Sequence, residues 1–113
     1  MLNPNLPEPE LLRAILQPML EDFQYWFERS RQLLETENIP FLNDQQQSDV
    51  LERIKQAQQE VNTAKTLFHA TGGQVGIEMK VLMPWHQLLT ECWQIATRFR
   101  LESSPRIENG NPN

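Results

Sequence analysis

The side chains best suited to hold a metal or attack a substrate in this chain are His69, His86 and Cys92. A zinc or di-iron site in a helical bundle needs Glu-x-x-His, or two histidines one turn apart, facing inward. Neither histidine has a glutamate three residues before it or a second histidine one turn away. At about 100° per residue, Cys92 shares the apolar face of its helix with Trp85 and Ala96, and His86 projects roughly 120° from it. That placement predicts a buried thiol behaving as a small apolar residue, not a nucleophile. The acidic residues Glu21, Asp22 and Glu28 suggest an acid/base pair, but Asp22 and Glu28 stand near Arg29 and Arg31 and read as the solvated face of a helix. Gly72-Gly73 followed by Gly76 comes after a helix rather than a strand and lacks the lysine and hydroxyl of a phosphate loop. No catalytic, cofactor-binding or metal-ligating residue is assigned, and no cofactor; the expectation is a protein that is not an enzyme.

Recognition chemistry has stronger material. Residues 23 to 27, Phe-Gln-Tyr-Trp-Phe, place four rings within five positions. With Phe23 at zero, Leu12, Leu16, Met19, Leu20, Trp26, Phe27, Leu33 and Leu34 fall within an arc of about 140°, which assigns Phe23, Trp26 and Phe27 to a core face. Tyr25 points about 160° to 200° away from the centre of that stripe. On the third helix Trp93 sits at the stripe's edge beside His86, Leu89 and Arg100. Exposed Trp, Tyr and Arg carry a disproportionate share of interface energy. The expected partner-binding residues are therefore Tyr25, His86, Leu89, Trp93 and Arg100.

Three helices are expected to position these residues. Pro4, Pro7 and Pro9 keep residues 1–9 a flexible lead-in until Pro9 enters a first helical turn. Helix 1 then spans about Glu10 to Glu35, with a kink expected ahead of Pro18. Asn38 and Pro40 mark a loop, and Asn43 or Asp44 caps helix 2, which runs from about Asp44 to Ala70 and stops at Thr71, Gly72 and Gly73. Its apolar residues Val50, Ile54, Ala57, Val61, Ala64 and Phe68 repeat at 4-3-4-3-4, a heptad seam. Residues 74–83 read either as a strand or as a helical face, and an extended crossover is the favoured assignment. Helix 3 is expected from Pro84 to Leu101, with residues 102–113 a disordered tail.

These stripes predict an all-α three-helix bundle over residues 10–101 with a long, partly extended crossover between helices 2 and 3 and flexible termini. Helix 3, at about 27 Å, would be shorter than the other two, at about 40 Å each, leaving apolar surface at one end that either residues 74–83 lie across or a second molecule covers.

Composition narrows the function classes. At 113 residues there is material for one core. A net charge of −5 disfavours nucleic acid and anionic lipid. One cysteine allows no internal disulfide, and no basic or apolar run opens the chain, so a reducing, cytoplasmic setting is expected. The longest apolar run, near Val81 to Trp85, is far short of the roughly 20 residues a membrane span needs, so no membrane insertion is expected.

Three blocks, LEDFQYWFERSRQLLE (20–35), IKQAQQEV (54–61) and ATGGQVGIEMKVLMPWHQLLTECW (70–93), resemble a family of small cyanobacterial proteins classed as a domain of unknown function. The resemblance spans about residues 10–101 and implies a phototrophic bacterial origin and no established enzyme activity. It favours a cyanobacterium-specific task such as helping to assemble a photosynthetic complex or the carboxysome. The leading expectation is a non-catalytic adaptor or assembly chaperone that binds another protein. The alternative is a self-associating structural coiled-coil protein, a homodimer paired through the helix 2 seam.

Overall fold

The computed structural model describes residues 9–72 and 79–103, and within them the chain forms three α-helices and no strand. They are α1 (Pro9–Thr36), α2 (Asp44–Ala70) and α3 (Met79–Ser103), packed as an all-α three-helix bundle. Pro9 takes the first position of α1, where its missing N–H costs nothing, and α1 continues through Pro18 as one helix.

α2 is bounded by local chemistry that its sequence announces. The Asn43 side chain accepts from the Gln46 backbone N–H at 2.7 Å, and the Gln46 side chain accepts from the Asn43 N–H at 2.9 Å, completing a capping box. At the other end Gly72 has φ +65°, a left-handed conformation that glycine takes without steric cost. Arg13 of α1 donates to the Gly72 carbonyl and ties the two helices at that end. Gly73, expected in the helix stop, and residues 74–78 of the expected crossover lie outside the described residues, as do residues 1–8 and 104–113.

The start of α3 corrects one expectation. Residues 79–83 are helical rather than extended, so α3 begins five residues before Pro84 and also runs on through Glu102 and Ser103. Pro84 has no backbone N–H to donate within the helix. Extending the helix across it packs Leu82 against the core. With 25 residues beside 28 and 27, α3 nearly matches its neighbours. The shortfall in helical cover inferred from a short third helix therefore does not exist.

The core draws Leu16, Leu20, Phe23, Phe27 and Leu34 from α1, the α2 seam, and Trp85, Leu88, Leu89 and Cys92 from α3. Every α2 seam position is buried except Ala64, which is half-buried. Ile39 in the α1–α2 loop is fully buried as well. Gln47 fixes that loop by accepting from the Ile39 N–H at 3.0 Å and donating to the Leu34 and Glu37 carbonyls at 2.8 Å each. The Arg98 guanidinium lies 4.1 Å from the Phe41 ring centre, closing this end of the bundle. α1 is the central helix, packed along both α2 and α3, which touch each other only slightly.

Candidate protein-binding face

The two sides of α1 are held by different chemistry. Toward α2 the contacts at the surface are polar and mutually satisfied. Arg31 donates to both oxygens of Glu28 at 2.7 Å and to Glu35, and Gln58 of α2 donates to Glu28 at 2.8 Å. Arg31 first, and then Gln58, hold the Glu28 carboxyl below its usual range. Lys65 donates to Gln24 at 2.8 Å, which donates to Asn62 at 3.1 Å. Gln24, Glu28, Arg31, Gln58 and Asn62 line a shallow groove, but their polar groups are spent on one another and on Glu35 and Lys65.

Toward α3 the helices meet through rings. Phe23 stacks on Phe27 at 5.8 Å and meets Trp85 edge-on at 5.6 Å. Trp85 is buried, and its indole N–H donates to Glu60 of α2 at 2.9 Å. Cys92 is buried too, with Ser30 as its hydrogen-bond neighbour, and burial pushes its thiol up to about 11. A thiol so protonated is a poor nucleophile at neutral pH, as its place on the apolar face led us to expect.

Outward from this core the rings continue into solvent. Trp26 meets Trp93 edge-on at 5.9 Å and Tyr25 edge-on at 4.9 Å. Arg29 lies over Tyr25 and Trp26, at 5.7 and 6.0 Å, and donates to the Tyr25 hydroxyl at 3.0 Å. Exposure is 52% for Tyr25, 36% for Trp26 and 43% for Trp93. Below Trp26 and Trp93, the α1/α3 groove of about 350 Å³ is floored by Phe23 and Leu89 and edged by Ile15, Asp22 and His86.

The expected partner-binding residues are thus placed unequally. Tyr25, His86 and Trp93 come together on this face. Leu89 does not belong to the exposed edge: it is 5% exposed and part of the core, because it points toward α1 and only floors the groove. Arg100 is exposed two turns beyond Trp93 and does not line the groove. Trp26 reverses its assignment to the core. It lies toward the trailing edge of the 140° arc, where α2 and α3 give only partial cover; Met19 and Leu33 on the same edge are half-buried against the core. Arg29 and Ile15 were not singled out by the sequence; their signal is the same edge of the same helix.

Among the described residues there is no group of three His, Cys, Asp or Glu side chains arranged to hold a metal ion. No helix among them is long and apolar enough to cross a membrane. The chain belongs to the family described as "Protein of unknown function (DUF2605)", whose model matches residues 6–101. No curated protein and no solved structure matches it.

Proposed function

We propose that this chain is a non-catalytic interaction protein, an adaptor or assembly chaperone that docks another protein on the α1/α3 face. One observation carries the reading: Tyr25, Trp26 and Trp93 form a contiguous ring cluster, topped by Arg29, that stays accessible while the buried rings beside it complete the core. Rigid rings held edge to edge lose little side-chain entropy when a partner covers them, so their burial converts efficiently into affinity. A cyanobacterial photosynthetic complex or the carboxysome, in the cytoplasm, is the proposed setting, supported by the resemblance of residues 20–35, 54–61 and 70–93. Pairing two copies through the α2 seam is disfavoured, since the chain's own α1 and α3 bury that seam.

The test is affinity purification of the tagged protein and of its Tyr25→Ala/Trp93→Ala variant from the native cell, with mass spectrometry of what accompanies each. The reading expects the variant to melt close to the parent and to lose specific companions. Equal recovery of companions by both proteins contradicts it.

A further inference from the structure

The exposed side of α1 carries a second regular stripe. Leu11, Ile15, Pro18, Asp22, Tyr25 and Arg29 repeat at 4-3-4-3-4, the same heptad spacing as the buried seam of α2, and all six are exposed. No helix among the described residues covers them. Two members are charged: Asp22 makes no ion pair among the described residues, and Arg29 lies on rings and faces no carboxylate.

We infer that a second copy of the chain covers this stripe from Ile15 to Arg29, α1 against α1 in antiparallel order about a two-fold axis passing between Tyr25 and Trp26. The charges single out that arrangement. Asp22 and Arg29 are equidistant from the midpoint of Tyr25 and Trp26, so a two-fold there sets each Asp22 against Arg29 of the other copy, twice. The same operation sets Tyr25 against Trp26 at the centre, where interface energy concentrates, and Pro18 against the half-buried Leu33. Heptad spacing suits the shallow crossing such a pair requires. A basic helix would be drawn by the net charge of −5 but would meet Arg29 with like charge. The stripe, with one charge of each sign, is complementary to itself. Repulsion between two chains of −5 is screened beyond about 8–10 Å at physiological salt.

The inference rests on reading this face as a protein-binding surface and adds its regulation: the paired copy hides Tyr25 and Trp26, so partner capture draws on the monomer. The test is analytical ultracentrifugation of the full chain over a concentration series. A reversible dimer is expected. Asp22→Arg and Arg29→Asp should each raise its Kd roughly 100-fold, because each creates two like-charge contacts. Combining them restores opposite charges and should return the Kd to within about tenfold of the parent. Asp22→Asn, which removes a charge with almost no change in shape, should weaken the dimer less than Asp22→Arg. Circular dichroism on each variant separates loss of pairing from loss of fold. A monomer at every concentration, single variants that dimerise like the parent, or a double variant no better than the singles overturns the inference. If the charge exchange behaves as expected while Tyr25→Ala/Trp93→Ala leaves companions unchanged, the dimer stands and the adaptor reading falls. A strict monomer that loses companions through Tyr25→Ala/Trp93→Ala removes only the dimer.

Discussion

Phe27 and Trp26 are adjacent in sequence and opposite in circumstance. Phe27 is 0% exposed and stacked on Phe23, whereas Trp26 keeps 36% of its surface in water and meets the surface rings Tyr25 and Trp93 edge-on. One turn of α1 therefore serves two ends, since α2 and α3 cover the leading part of its apolar arc fully and the trailing part only in part. An apolar stripe wider than its intramolecular neighbours can bury is the physical mark of a surface meant for something else.

The contrast can be broken most forcefully from the inside. Phe27→Ala should cost about 3–5 kcal/mol in urea denaturation, by loss of transfer energy and creation of a cavity. Trp26→Ala, which removes a larger side chain, should cost no more than about 1 kcal/mol. Comparable losses would mean that Trp26 is a core residue after all.

The next effect in size separates a buried ring with a committed partner from the exposed ones. Glu60→Leu leaves the buried Trp85 indole N–H without its acceptor and should cost about 1–3 kcal/mol. The same measurement on Trp93→Ala should shift stability by less.

Cys92 reports on the same boundary by chemistry. With its thiol near 11 and buried, alkylation at pH 8 should be slow in the native protein and rise to the free-thiol rate in denaturant. Rapid native labelling would place Cys92 on the open side.

The smallest expected effect lies on the α2/α3 surface, where Arg53 donates to both oxygens of Glu91, at 3.0 and 2.6 Å. The Arg53 hydrogen bonds hold the Glu91 carboxyl below its usual value. Its contribution is therefore present above the unfolded carboxylate's pKa and is lost as pH falls through the depressed folded one. Both side chains are about half exposed, so Glu91→Gln should remove well under about 1 kcal/mol at neutral pH and slightly flatten the acid side of the stability profile.

What was legible in the chain follows the same division. The α2 seam, its Asn43 cap and its Gly72 stop are encoded locally, in heptad spacing, in a side chain that bonds the N3 amide, and in a residue free to take positive φ. The start of α3 was not, because a proline at the first helical position is the favoured local pattern and only the tertiary packing of Leu82 outweighs the bond lost at Pro84. Ile39 reads as a loop residue and is fully buried, since nothing in its neighbours announces that the loop folds back under Gln47. Tyr25 and Trp93 were found as outliers from their stripes. Trp26 was missed because angular position says which way a side chain points and not whether a neighbour arrives there.

The central claim is that the rings on the open side of α1 bind protein while those on the closed side hold the fold. The most direct measurement is quantitative recovery of co-purifying proteins by Tyr25→Ala/Trp93→Ala against the parent, at matched amounts of folded protein. The account predicts that the companions of the parent drop at least about tenfold with the variant, equivalent to about 1.4 kcal/mol of binding. Undiminished recovery by a folded variant would contradict it.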